Sequence, residues 1–341
     1  MTRNYLVTGG AGFIGSNYVN RLLKRGEHVT IYDNFSRAGA KRNLEWLTST
    51  HGRKSFNVII ADVRDADKIT GAARGSDVIV HLAGQVAVTT SVTDPRSDFE
   101  SNALGTFNVL EAARASGNNP IFIYASTNKV YGGMDDVKIV EESTRWRYAD
   151  LVNGCPESQP LDFHSPYGCS KGTGDQYVRD YARIYGLRSV VFRQSCIYGP
   201  RQFGIEDQGW VAWFVIAAVT GRSITIYGDG KQVRDVLNAD DLMNAYDAAI
   251  EKIDVAAGKV FNVGGGPQNV LSVWTEFQPM LEKLLGKKIS VARGDWRPGD
   301  QRVFYADISK AKRELGWRPM IGVEEGIRML FEWVKENKDL F

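Results

Sequence analysis

The chain has 341 residues with 42 Lys and Arg against 40 Asp and Glu, a net charge of +2. That balance shows neither the basic surface of a nucleic-acid binder nor an acidic disordered tail. Its 43% apolar and 24% charged residues describe an ordinary globular chain, long enough at about 150 residues per domain for two domains.

Three cysteines, Cys155, Cys169 and Cys196, are odd in number and lack CxxC spacing, so no disulfide framework and no metal site is expected. The first residues do not read as a signal peptide, and no run of about 18 apolar residues interrupts the chain. A soluble cytoplasmic protein without membrane or nucleic-acid partners is the expectation.

Tyr5-Leu6-Val7 reads as a first strand, followed by a glycine-rich turn and a helix through Arg25. The turn, Thr8-Gly9-Gly10-Ala11-Gly12-Phe13-Ile14-Gly15, satisfies GxGxxG with Gly10, Gly12 and Gly15, and GxxGxxG with Gly9, Gly12 and Gly15. Between a strand and a helix this is the dinucleotide fingerprint, because a side chain there would keep a pyrophosphate from the helix N-terminus. Val29-Thr30-Ile31-Tyr32 makes a second strand ending at Asp33, 18 residues beyond Gly15. A carboxylate at that point accepts both ribose hydroxyls and repels a 2′-phosphate, which favours NAD over NADP. Cofactor contacts are therefore expected at Gly9, Gly12, Phe13, Ile14, Gly15, Asp33 and Asn34.

Val58-Ile59-Ile60 and Val78-Ile79-Val80 continue the series of buried strands. Asp62-Val63 after the third suits an adenine edge, and His81-Leu82-Ala83-Gly84 after the fourth lies where parallel sheets bind ligands, with His81 itself read as packing. The strand Ile121-Phe122-Ile123-Tyr124 runs into Ser126 and Thr127, either of which presents a hydroxyl at the same sheet edge. Tyr167 and Lys171 lie four apart, on one face of a helix, so that the ammonium stabilises a phenolate base. Ser189-Val190-Val191-Phe192 is a further strand, and Val260-Phe261-Asn262-Val263 a late one. Strands alternating with helices give an α/β fold: a Rossmann-type doubly wound parallel sheet with a smaller mixed α/β substrate-binding domain. The expected division is 1–193 plus 235–265 for the NAD-binding domain and 194–234 plus 266–341 for the other.

Together these residues resemble the extended short-chain dehydrogenase/reductase family, which includes nucleotide-sugar epimerases and dehydratases. The resemblance is carried by the phosphate loop, Asp62-Val63, the His81 segment, Asn102 in Glu100-Ser101-Asn102-Ala103-Leu104-Gly105-Thr106, Tyr167 with Lys171, and Gly228 to Val236. In the family pattern the catalytic hydroxyl sits four residues before the tyrosine of the V-Y-G turn, here Tyr131, which selects Thr127. The resemblance thus implies Thr127, Tyr167 and Lys171 as catalytic, and Leu82, Ala83, Gly84, Asn102, Tyr167 and Lys171 as further cofactor contacts with Asp62 and Val63. Family dehydratases carry Asp-Glu straight after the threonine; Asn128-Lys129 stands here, which disfavours water loss. The Asn usual after Arg193 is absent from Arg193-Gln194-Ser195.

Within the family, longer segments resemble the branch that inverts CDP-sugars at C2. They are His81 to Ala87 with Thr89-Thr90-Ser91, Ser126 to Gly132, Leu161 to Lys171, Arg201-Gln202-Phe203 and Asp207-Gln208-Gly209-Trp210. That resemblance implies NAD-dependent epimerisation of a CDP-paratose, CDP-tyvelose or CDP-glucose type substrate through a 2-keto sugar, with NAD tightly bound and regenerated. Thr89, Thr127, Gln208, Trp210, Arg234, Arg297 and Arg302 are the implied substrate contacts. It also implies a homodimer or homotetramer through the helices carrying Asn102 and Tyr167. A 4-epimerase of the UDP-glucose type and a catalytically silent NAD-binding regulator are the alternatives.

Overall fold

A computed structural model describes residues 2–206, 208–297 and 300–341. Asp207 of the Gln208 segment, and Pro298 and Gly299 beside Arg297, lie outside the described residues. The chain divides into two compact units: Met1–Val130, Ser165–Arg193 and Tyr246–Phe261 form one; Tyr131–His164, Gln194–Ala245 and Asn262–Phe341 form the other.

The first unit is organised by a seven-stranded sheet. Its strands β1 (Asn4–Thr8), β2 (His28–Asp33), β3 (Asn57–Ile60), β4 (Val78–His81) and β5 (Ile121–Thr127) are joined by Ser189–Gln194 and Val260–Val263. From one edge the order is Val260–Val263, Ser189–Gln194, β5, β4, β1, β2, β3. Parallel strands covered on both faces need apolar residues throughout rather than alternately. Leu6 and Val7 of β1 and Val78, Ile79 and Val80 of β4 are accordingly fully buried. Tyr5 pairs in parallel with Val29 on one side and Val78 on the other. The chain therefore reverses its direction of growth between β1 and β4, the switch point at which α/β sheets bind ligands. Helix α1 (Phe13–Lys24) leaves β1 through the glycine turn.

The helix before β5 is built in three segments. Asp94 caps its start by accepting from Ser97 N at 3.0 Å, with Pro95 at the first helical position. Pro95–Phe99 continues through a π-helical turn, Glu100–Leu104, into Gly105–Ala115. Such turns shift the register of the side chains that follow and concentrate at functional sites. Here the turn carries Asn102.

The second unit packs the Trp210–Thr220 helix, buried over most of its surface, with Trp274, Phe277, Leu281, Ile327, Leu330 and Phe331. Its sheet is centred on Val233–Asn238, parallel to Cys196–Tyr198 and Val303–Phe304 and antiparallel to Val270–Ser272. Residues 131–164, 235–245 and 262–265 fall in this unit, whereas the sequence reading grouped them with the first. The cause is non-local pairing: Cys155 bridges to Ala306, and Val233–Asn238 finds all its strand partners there. Among the described residues no helix is long and apolar enough to cross a membrane.

Candidate active site

The phosphate loop begins at Gly9, held at φ 68° with its N–H donating to Tyr32 O at 2.8 Å. A Cβ on Gly15 would stand 2.1 Å from Gly9 O, and one on Gly9 would stand 2.8 Å from Ala83 N. Neither position tolerates a side chain, because the obstacle is backbone. Gly12 is the N-cap of α1, and no side chain caps the helix or places an acid in its first turn. The N–H groups of Phe13, Ile14 and Gly15, which have no partners inside the helix, are left for an anion.

Asp33 is nearly buried and ties this loop to β2: Oδ2 accepts from Ala11 N at 3.0 Å and Oδ1 from Phe35 N at 2.8 Å. Burial raises its proton affinity, and the two N–H donors oppose that. A carboxylate has about four acceptor positions. Two remain for the vicinal hydroxyls of a ribose.

Asp62 is differently employed. Its oxygens accept from Arg64 N, Nε and Nη2 at 2.9, 2.9 and 2.8 Å and from Asn34 Nδ2 at 2.8 Å. Arg64 chiefly holds the carboxyl down at about 2. Its acceptor capacity is filled, so an adenine amine would have to compete with Arg64, and Asn34 serves first to orient Asp62. Val63 is buried in the first-unit core.

Leu82 to Gly84 is fastened to the loop by Leu82 N to Thr8 O at 3.1 Å and Ala83 N to Thr8 Oγ1 at 3.3 Å. His81 lies beneath, fully buried, with Nδ1 2.7 Å from Thr8 Oγ1 and Nε2 3.0 Å from Thr106 Oγ1. Thr106 donates to Asn102 O, so it accepts from Nε2–H. Desolvation, aided by Lys171, pulls His81 down to about 3. It is a structural tie. Asn102 donates through Nδ2 to Gln85 O, Asp98 and Ser170, while its buried Oδ1 has no partner. Gly84 stands against that oxygen: a Cβ there would lie 2.5 Å away. The open helix end, the spare acceptors of Asp33 and the orphaned Asn102 oxygen fit a dinucleotide.

The Ser165–Tyr185 helix carries Tyr167 and Lys171, 8% and 7% exposed. Tyr167 N is held by Ser91 Oγ at 3.1 Å. Its phenol is pushed up to about 12 by burial and drawn part of the way back by the nearby Thr127 hydroxyl. Lys171 is pulled down to about 8 by burial, against the attraction of Asp175 and Asp98. Thr127 also accepts from Lys129 N at 3.2 Å and contacts Asn128 Oδ1 at 3.3 Å. Ser126 points elsewhere, donating to Asp175 Oδ2 at 2.8 Å. Asp175 in turn takes Arg193 Nε at 2.9 Å and Nη2 at 3.0 Å in a buried bidentate pair. Sequence reading missed Asp98 and Asp175. Asp175 lies one turn beyond Lys171 and Asp98 one turn before Asn102, and that helical spacing was the available signal.

Thr89 is exposed in the first unit, on the Val88–Thr93 helix. Thr127 lies in the first unit as well, and the remaining expected substrate contacts lie in the second. Arg234 is 8% exposed, donates through Nη1 to Val233 O at 2.7 Å, and has Nη2 3.8 Å from Asp300. The Arg297 guanidinium lies 3.8 Å from the Tyr227 ring centre, and that of Arg302 is 4.7 Å from Trp146 and 5.4 Å from Trp296. Aromatic stacking of this kind fixes the plane of the fork. Gln208 is held by mutual backbone bonds with Ile205. Trp210 packs edge-on against Phe214 and Phe277, and its indole N–H is buried without a partner.

Residues 6–330 match the family model described as GDP-mannose 4,6 dehydratase. A CDP-paratose 2-epimerase of Salmonella typhi is 44% identical over 335 residues, 96% of this chain and 98% of that protein. A UDP-glucose 4-epimerase from Thermotoga maritima, solved with UDP-glucose, superposes with a TM-score of 0.83 at 31% identity, covering 98% of this chain and 99% of that one. A dTDP-glucose 4,6-dehydratase from Streptomyces venezuelae, solved with NAD bound, gives 0.85 at 29% identity, covering 99% and 98%. With the phosphate loop, the switch-point sheet and the Tyr-Lys helix in place over nearly the whole chain, the protein belongs to the GDP-mannose 4,6 dehydratase family and is an enzyme of that family.

Proposed function

We propose that this enzyme epimerises a CDP-sugar at C2 with a tightly held NAD. The observation that carries the chemistry is the buried Tyr167 phenol one helical turn from the buried Lys171, with Thr127 close enough to lower the phenol's proton affinity. The similarity to a CDP-paratose 2-epimerase supports the base and the carbon. Asn128-Lys129 provides no carboxylic acid beside Thr127, which argues against dehydration.

A carbon bearing H and OH has no acidic proton, so inversion goes through transient oxidation. Bound NAD supplies a hydride acceptor that is regenerated within each cycle. Gly9, Gly12, Phe13, Ile14, Gly15, Asp33 and Asn102 would hold it. Tyr167 takes the proton of the C2 hydroxyl and returns it to the C2 oxygen when the 2-keto sugar, turned to present its opposite face, is reduced. Thr127 donates to the oxygen as carbonyl character develops, and the Lys171 ammonium lowers the cost of the phenolate. Arg234, Arg297 and Arg302 are assigned to the diphosphate, with Gln208 and Trp210 toward the nucleotide and Thr89 toward the sugar. We also assign a homodimer to the helices of Asn102 and Tyr167, which expose Phe99, Leu104, Phe107, Tyr177 and Ile184. Light scattering of the purified enzyme tests that assignment.

The solved UDP-glucose 4-epimerase relative favours a second reading, inversion at C4. Incubation with CDP-paratose, CDP-tyvelose, CDP-glucose and UDP-glucose, followed by NMR location of the inverted carbon, separates the two. Inversion at C2 of a CDP-sugar is expected; inversion at C4, or turnover of none of them, overturns the proposal.

A further inference from the structure

Asp98 is fully buried on the Pro95–Phe99 helix, and three uncharged groups hold its carboxylate. Oδ1 accepts from Gln85 Nε2 at 3.0 Å and from Asn102 Nδ2 at 3.1 Å; Oδ2 accepts from Ser170 Oγ at 2.5 Å. Ser170 precedes Lys171, so the carboxylate is fastened to the same turn of helix that presents the ammonium. Neutral donors stabilise an anion without cancelling its charge. Desolvation of a carboxylate is costly unless a cation shares the low-dielectric region.

The groups facing Lys171 identify that cation. From its own helix come Tyr167, one turn earlier and uncharged at rest, and Asp175, one turn later. Asp175 is committed to Arg193 of the neighbouring strand through two hydrogen bonds, so that pair carries no net charge. From β5 the Tyr124 ring lies 4.4 Å from Nζ, and from β4 comes the neutral His81. Asp98 is the buried anion whose charge is not spent on an arginine, and it adds to the larger attraction that Asp175 exerts on Lys171. Its attraction acts on Lys171, and the lysine's acts on it.

We infer that Asp98 is a positioning residue, the counter-charge that keeps the Lys171 ammonium protonated while Tyr167 exchanges a proton with the sugar. The inference rests on the proposed roles of Tyr167 and Lys171. It assigns a function to Gln85, Asn102 and Ser170 as well: they hold the carboxylate ionised and in place.

Asp98→Asn removes the charge and keeps the shape. Its Oδ1 can accept from Gln85 and Asn102, and its Nδ2 can donate to Ser170 Oγ, whose proton then turns to Tyr167 O, already 3.2 Å away. The pH profile of turnover is measured on NAD-loaded wild type, Asp98→Asn and Asp98→Glu. Loss of the anion weakens proton binding at Lys171, which moves the alkaline limb to lower pH. It also lowers proton affinity at Tyr167, which Asp98 raises as it does that of Lys171, so the acid limb moves the same way. Both limbs are expected to shift down by about one pH unit in Asp98→Asn, and Asp98→Glu to restore the alkaline limb. If the amide is not tolerated, Asp98→Ser carries the same test. A folded, NAD-loaded neutral variant with unmoved limbs overturns the inference, and so does failure of both neutral variants to fold, which would make Asp98 a purely structural residue. Failure of the underlying functional reading looks different: wild type would then turn over no nucleotide sugar at any pH.

Discussion

The Lys171 ammonium lies 4.4 Å from the centre of the Tyr124 ring, and both side chains are buried. The ring face offsets part of the desolvation of the cation, an effect of about 2 kcal/mol when water is excluded. The offset is incomplete, and burial leaves Lys171 at about 8, below the ordinary lysine value. A depressed value means that Lys171 is charged below about pH 8 and loses its proton as the pH rises through it. Turnover that needs the ammonium should therefore fall on the alkaline side with a midpoint near pH 8. A rate profile flat to pH 10 would show that the charge of Lys171 is not used.

Tyr167→Phe removes the group that exchanges the proton and leaves the ring that fills its place. Turnover should fall by about 10²- to 10⁴-fold, the usual worth of a general base. Bound NAD, read by absorbance after denaturation, should stay near the wild-type amount because the phosphate loop is untouched.

The adjacent hydroxyls of Ser126 and Thr127 should respond differently. Thr127 acts on the phenol and is assigned to the sugar oxygen, so Thr127→Ala should reduce turnover by about 100-fold with little change in melting temperature. Ser126 donates to the buried Asp175. Ser126→Ala should cost about 1–3 kcal/mol of stability and change turnover only a few-fold. Denaturant unfolding and initial rates on both variants check this division.

Gly15→Ala places a methyl group against the Gly9 carbonyl. The loop must give way, at about 1–3 kcal/mol, and the helix N-terminus loses its approach to phosphate. The purified variant should carry much less NAD than wild type, measured as bound cofactor per chain. Full occupancy would show that the loop does not hold the pyrophosphate.

What was legible in the sequence was what local requirements dictate. β1, β2, β4 and β5 announce themselves because strands buried on both faces admit only apolar runs. Gly9, Gly12 and Gly15 announce themselves because a turn meeting an anion at a helix end has no room for side chains. Tyr167 and Lys171 are one turn apart, a spacing that sequence displays directly. The rest depends on contacts across the chain. Ser170 meets Asp98 from 72 residues away and Arg193 meets Asp175 from 18. The π turn at Asn102 has no residue signature of its own. Arg297 and Arg302 have the chemistry of phosphate ligands, but their stacking on Tyr227, Trp146 and Trp296 comes from the tertiary fold. Residues 131–164 read as a continuation of the first unit until Cys155 is seen paired with Ala306.

The central claim is that C2 is inverted by oxidation and return of the same hydride. It is tested most directly with a CDP-sugar carrying deuterium at C2, incubated with the enzyme in ordinary water and analysed by NMR and mass spectrometry. The account predicts an inverted product that keeps its deuterium at C2. Inverted product with deuterium replaced by solvent hydrogen at C2 would contradict it.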